Sequence, residues 1–108
     1  MSIGMYAELN GKHSLITIGD GCDIASFVTI TTADSHKRCI GLSTENERRS
    51  VVLEDHVFGG QGAIILPGSH IGHHSVIGAG VVLHGEQIPP WSRVRRQAPS
   101  IEAGYYAR

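Results

Sequence analysis

Hydrophobic and polar positions along this chain recur with neither the helical period of 3.6 nor the strand alternation of 2. They recur every six residues. From Leu53 to Ile88 the chain reads LEDHVF GGQGAI ILPGSH IGHHSV IGAGVV LHGEQI, with Leu53, Ile65, Ile71, Ile77 and Leu83 in the first column of these hexads and Val57, Ala63, Ser69, Ser75 and Val81 in the fifth. The stretch IGDGCD IASFVT ITTADS, from Ile18 to Ser35, keeps the same register. Across the nine hexads the first column is Ile or Leu except at Gly59, and the fifth is small or Val except at Asp34 and Gln87. A fixed period of this kind marks a solenoid. Three hexads, about 18 residues, make one turn of a triangular parallel β-helix, with the aliphatic of each face pointing inward and the small residue beside it letting the chain turn the corner. Gly68, Gly72, Gly78 and Gly80 suit such corners, where a positive φ is often needed. The competing pattern, a Gly-rich antiparallel β domain whose turns fall six apart, does not account for both columns at once.

Taken in order, Ile3 to His13 reads as an imperfect capping coil, with Leu15-Ile16-Thr17 breaking the register before Ile18. A full turn follows from Ile18 to Ser35. The next 17 residues, HKRCIGLSTENERRSVV, carry clustered charge at Glu45, Glu47, Arg48 and Arg49 and no hexad, and predict a loop excursion at about 36–52. Two turns then run from Leu53 to His70 and from Ile71 to Ile88. Pro89-Pro90 is expected to end the repeat, because proline cannot donate to the ladder between coils. The β-helix domain is therefore placed at residues 1–94 and a C-terminal tail at 95–108. Trp91 to Arg108, with Arg93, Arg95, Arg96 and Arg108, is the only basic-biased segment. His56 and His74 share the fourth column one turn apart, so their rings are expected to stack on adjacent coils about 4.8 Å apart.

At 108 residues the chain is one small domain, and solenoid coils contact only their neighbours, so length alone predicts caps or partner subunits. A formal charge of −1 gives no reason to invoke nucleic acid or a membrane surface. Cys22 in the small-residue column and Cys39 in the polar excursion read as unpaired thiols of a reducing compartment. With no apolar run near ~20 residues and no signal-peptide core in MSIGMYAELNGK, the expected location is cytoplasmic, without membrane insertion.

The run ILPGSHIGHHSVIGAGVV followed by Ile88-Pro89-Pro90 resembles the hexapeptide-repeat acyltransferases, whose members commonly carry I-L-P-G-x-x-I-G-x-x-S-V-I-G-A-G-x-V and then I-P-P. Ala33-Asp34-Ser35-His36, the loop with Ser43-Thr44-Glu45-Asn46-Glu47-Arg48, and Glu54-Asp55-His56-Val57-Phe58 resemble the branch that O-acetylates sugars and capsular or lipopolysaccharide units. The likeness covers about residues 18–94. It implies an all-β, left-handed parallel β-helix with one loop excursion, a homotrimer, acetyl-CoA as co-substrate in a groove between neighbouring subunits, and a sugar-like acceptor. Carried over by position, it implies that His36 is the general base, that Phe58 lies near the acceptor, and that Gln61, Ala79 and Leu83 line the pantetheine groove. Two departures stand out. Gly59 replaces the usual aliphatic, and the family's C-terminal G-N-P-A-K is here Arg96-Gln97-Ala98-Pro99-Ser100.

Acetyl transfer needs a base with a pKa near neutrality, which histidine supplies, and a carboxylate can hold its tautomer. Asp34, out of pattern two residues before His36, is the candidate for that support or for binding the acceptor; the competing reading is a solvated loop histidine and a turn aspartate. Arg95 and Arg96 are candidates for the CoA phosphates, since guanidinium forks match phosphate oxygens, or else are solvated tail charge. Trimeric β-helical carbonic anhydrases share the expected fold and hold zinc with histidines. They need two about five residues apart on one chain, whereas His70, His73 and His74 are spaced three and four apart, so no metal is expected. A catalytically silent β-helical scaffold is the other alternative.

Overall fold

A computed structural model of the chain describes residues 1–11 and 14–107. Lys12, His13 and Arg108 lie outside the described residues, and with them the expected end of the first coil and the last arginine of the tail. The first coil runs through β1 (Ser2–Ile3), β2 (Glu8–Asn10) and β3 (Ile16–Ile18), and the second through β4 (Asp23–Ile24) and β5 (Thr29–Thr31). The chain then leaves the stack through β6 (Ala33–Asp34), the single-turn α1 (His36–Cys39) and β7 (Glu47–Arg48), and rejoins it at β8 (Val51–Leu53). The third coil is β9 (Phe58–Gly59), β10 (Ile64–Ile65) and β11 (His70–Ile71), and the fourth is β12 (Val76–Ile77), β13 (Val82–Leu83) and β14 (Gln87–Ile88). A fifth begins at β15 (Arg93–Val94).

Every coil-to-coil pairing is parallel, and together they make three faces. Face A stacks β1, β4, β9, β12 and β15; face B stacks β2, β5, β10 and β13; face C stacks β3, β8, β11 and β14. The chain has the parallel β-helix that the hexads predict, left-handed as the resemblance implies. The first-column residues occupy one inward position per strand. Ile24, Gly59, Ile77 and Val94 stack on face A, Leu9, Ile30, Ile65 and Leu83 on face B, and Ile18, Leu53, Ile71 and Ile88 on face C. Ile24, Ile30, Leu53, Ile65, Ile71 and Ile77 are wholly buried, and each contributes roughly 1.5–3 kcal/mol of apolar burial. The fifth-column residues Cys22, Val28, Val57, Ala63, Ser69, Ser75 and Val81 are also buried, at the inside of the corners.

The fourth column has its own geometry. Gly21, Phe27, His56, Gly62, Gly68, His74 and Gly80 all have φ between 55° and 86°, the left-handed region that costs a residue with a Cβ about 1–2 kcal/mol. A residue of this kind at the corner bends the chain, and at several corners its N–H still reaches the coil below. The N–H of His56 reaches the carbonyl of Asp20 at 2.8 Å, that of His74 reaches Asp55 at 3.0 Å, and that of Gly80 reaches Gln61 at 2.9 Å.

Gly59 leaves no side chain in the face A stack, where the nearest side chains come from the coil below. A Cβ there would lie 3.6 Å from Ile24 Cδ1 and 3.8 Å from Val28 Cγ2, which is ordinary contact. Gly59→Ala is therefore expected to stabilise the fold by about 0.4–1 kcal/mol through loss of unfolded-chain entropy, read as a higher thermal midpoint. A lower midpoint would show that the site is already full.

Three expectations need correction. Pro89-Pro90 does not end the stack: the prolines fall on a corner, where no ladder donor is required, and β15 pairs with β12 beyond them. The excursion is shifted from 36–52 at both ends: β6 at Ala33–Asp34 already pairs with β7 outside the three faces, and Val51, which is buried, and Val52 belong to β8. Gln87 is not a corner residue but an outward strand residue opposite His70; the corner after Leu83 is one residue shorter, so Ile88 takes the inward place.

Candidate functional site

Between faces B and C the corner is replaced by the excursion. Its base is an antiparallel pair, Asp34 opposite Glu47 and Ala33 opposite Arg48, closed by the Arg49 N–H donating to the Thr32 carbonyl at 2.9 Å. Thr32 is buried, which anchors the point of departure. Immediately beyond, Asp34 Oδ1 accepts both the His36 backbone N–H at 3.1 Å and the His36 ring Nδ1 at 2.6 Å. A carboxylate only accepts, so Nδ1 is the donor in this contact, and in the neutral ring that leaves the lone pair on Nε2. Both side chains are exposed. The Asp34 carboxyl is held below the ordinary aspartate range, first by the ring hydrogen bond from His36 and next by the His36 backbone N–H. Lys37 Nζ meets Glu47 Oε1 at 2.7 Å across the excursion. A small recess of about 120 Å³ beside the pair is lined by Asp34, Glu47, Arg49, Leu66, Pro67 and His84.

The corner between faces C and A carries a ladder of rings. His56 and His74 lie one above the other with centroids 4.9 Å apart, close to the expected coil spacing, and planes tilted by 33°, and Trp91 stacks on His74 at 4.3 Å. Beside it, on face C, lies a second carboxylate–imidazole pair, Glu54 Oε2 to His70 Nε2 at 2.6 Å, while Glu54 Oε1 accepts the His73 N–H at 2.9 Å. His70 is thus a strand residue and not a corner one, and His73 Nδ1 faces His74 Nδ1 at 3.0 Å. Among the described residues no three His, Cys, Asp or Glu side chains are arranged to hold a metal. The Glu54 carboxyl is held below its ordinary range, chiefly by the ring of His70 and then by the His73 N–H. A depressed carboxyl contributes stability in full above its unfolded pKa, about 4.3, and loses it as pH falls through the lower folded value. Wild type is therefore expected to lose thermal stability more steeply than Glu54→Gln below about pH 4.3; parallel melting curves would contradict this assignment.

The corner between faces A and B is the bare one. Gln61 and Ala79 lie exposed on it one coil apart, a Cβ at Gly62 would meet nothing, and one at Gly80 would meet only the Arg96 side chain, at 3.3 Å. Arg95 is also exposed on the coil above. The outward residues flanking this corner on the third and fourth coils are apolar and partly exposed: Phe58 and Val76 on face A, Ile64 and Val82 on face B. Leu83 is 3% exposed and ends its strand on face B, so its side chain belongs to the core and not to this edge.

These placements divide the sequence-predicted residues. Gln61, Ala79 and Arg96 gather on one edge, with Phe58 beside it on face A. His36 and Asp34 leave from the corner opposite face A. The Glu54–His70 pair and the Trp91 end of the ladder were not singled out from the sequence, although Glu54 begins a corner and His70 ends the hexad on the coil above it.

No family model matches the chain, and no curated protein does. Solved structures do. Two variants of AntD, an N-acyltransferase from Bacillus cereus, each in complex with dTDP-4-amino-4,6-dideoxyglucose and coenzyme A, superpose with a TM-score of 0.71 at 22% and 23% identity, over 94% and 96% of this chain and 58% and 62% of theirs. A maltose O-acetyltransferase from Clostridium difficile 630 superposes with a TM-score of 0.62 at 35% identity, over 82% of this chain and 50% of its own. The chain thus resembles the hexapeptide-repeat acyltransferases both in its motif and in its left-handed β-helix. It spans half to three-fifths of the length of these structures.

Proposed function

We propose that the chain transfers an acyl group, acetyl in the first instance, from a CoA thioester to a hydroxyl or amino group of a sugar-like acceptor. The observation that carries this reading is the Asp34–His36 pair, with the Nε2 lone pair free at the point where the regular coil gives way to the excursion. The acceptor O–H or N–H proton passes to His36 Nε2 as the heteroatom attacks the thioester carbonyl. The tetrahedral intermediate collapses, the C–S bond breaks, and the thiolate takes the proton back from the imidazolium, leaving acylated acceptor and free CoA. Asp34 keeps the imidazole in the tautomer that can accept. The neighbours' contents support the substrate classes: AntD carries coenzyme A and a nucleotide-linked aminosugar, and the Clostridium difficile enzyme is named for acetylating maltose. Acceptor-dependent release of CoA thiol from acetyl-CoA tests the reading.

In this proposal CoA lies along the bare edge between faces A and B, against Gln61 and Ala79, with its phosphates at Arg95 and Arg96 and the acceptor near Phe58. That edge and the His36 excursion sit on different sides of the same prism, so a site using both needs two chains. A closed homotrimer provides three such sites. Light scattering at micromolar concentration is expected to give about three times 11.6 kDa; a stable monomer that still transfers acetyl would overturn the intersubunit site. The free Cys22 and Cys39 support a reducing, cytoplasmic setting, and no helix among the described residues is long and apolar enough to cross a membrane.

A further inference from the structure

The left-handed positions on the edge between faces A and B change character halfway up the stack. From the first coil to the fourth they are Tyr6, Phe27, Gly62 and Gly80. The two rings stack with centroids 5.2 Å apart and planes 17° from parallel, and both are largely exposed. Above Phe27 there is no side chain at the Gly62 position and open space where a Cβ would be, and the next feature upward is Arg96 beside Gly80. The flanks change at the same level. On the third and fourth coils they are Phe58, Val76, Ile64 and Val82; on the second they are Asp23 and Thr29, which pair directly beneath Phe58 and Ile64. A bare apolar track therefore runs down from Arg96 for two coils, about 4.8 Å each, and ends against an aromatic ring, with Asp23 on face A of the same coil.

We propose that Phe27, braced from below by Tyr6, is the stop that limits the acyl group of the donor to about acetyl size. The inference rests on the reading that CoA lies along this edge. Arg95 and Arg96 mark the phosphate end at the top of the stack, and the excursion that carries His36 leaves from the second coil, so the thioester end lies lowest. A longer acyl chain would have to displace the Phe27 ring or lie against Asp23, where burial of the carboxylate without a partner opposes it. The identity of the residue is itself unexpected, because Phe27 occupies a left-handed position that glycine or asparagine fills at less cost.

The test compares acetyl-, butyryl- and hexanoyl-CoA as donors for wild type, Phe27→Gly and Phe27→Asn, both replacements being suited to the backbone at φ 61°. Each methylene newly packed against the Tyr6 ring is worth up to about fourfold in transition-state binding, so the butyryl-to-acetyl ratio of kcat/KM is expected to rise, by up to about 15-fold, in Phe27→Gly and to rise in Phe27→Asn as well. A ratio unchanged in both variants overturns the inference while leaving acyl transfer intact. So does a complete loss of transfer in both variants when circular dichroism shows them folded, since a mere stop is dispensable for acetyl. If wild type neither binds CoA by calorimetry nor releases thiol, the acyl-transfer reading itself falls, and this inference with it.

Discussion

Replacing His36 with alanine is expected to lower turnover about 10²- to 10⁴-fold, the usual worth of a positioned general base, while acetyl-CoA affinity stays close to wild type. The split follows from geometry. His36 stands on the excursion, away from the edge where Gln61, Ala79 and Arg96 gather, so removing its ring takes away proton transfer and leaves the cofactor contacts. Asp34→Asn separates two roles. The Asp34 oxygen bonded to Nδ1 fixes the tautomer, and an amide presenting its NH₂ there would favour the wrong one, lowering kcat with little change in acceptor KM. A raised acceptor KM with kcat preserved would instead make Asp34 an acceptor ligand. His36→Ala turning over at the wild-type rate would remove the base from the excursion altogether and direct attention to His70, whose partner is Glu54.

Ile65→Ala is expected to produce the largest loss of stability, about 2–5 kcal/mol. Ile65 is fully buried and stacks between Ile30 below and Leu83 above, so truncation removes contacts to both neighbouring coils and leaves a void that a regular stack cannot close. A loss of that size is a large share of the folding free energy of a small domain, which is about 5–15 kcal/mol. Urea unfolding at fixed protein concentration reads it, the concentration being held because assembly adds to apparent stability. A shift under about 1 kcal/mol would mean that the coils slide to fill the gap and that the hexad register is looser than the pairing implies.

The inward half of this fold was legible because it is repetitive. Each first-column aliphatic and each fifth-column small residue meets the same constraint once per face, and the structure buries them together. The outward half was less legible. On faces A and B the sixth hexad column switches from Asp23 and Thr29 to Phe58, Ile64, Val76 and Val82, and that change marks the edge on which the proposed cofactor track lies. Reading the sixth column as closely as the first would have found it. Exceptions to the period were harder still. A corner one residue short after Leu83 moves Gln87 outward and Ile88 inward without any change in composition. Prolines on a corner look like a stop although the strand beyond them still pairs. The excursion's charges hid the fact that Val51 and Val52 already belong to face C. For the site, the Asp34–His36 contact was foreseeable from a two-residue spacing, whereas the Glu54–His70 pair joins a corner to a strand on the next coil and has no local signature.

The most direct measurement is release of free CoA thiol from acetyl-CoA in the presence of a panel of sugars and aminosugars, including nucleotide-linked ones. Acceptor-dependent release above the rate of acetyl-CoA hydrolysis alone, lowered at least about 10²-fold in His36→Ala at unchanged CoA binding, is the predicted result. No release with any acceptor, from a protein that is folded, assembled and binds no CoA, would contradict the account and leave a β-helical scaffold in its place.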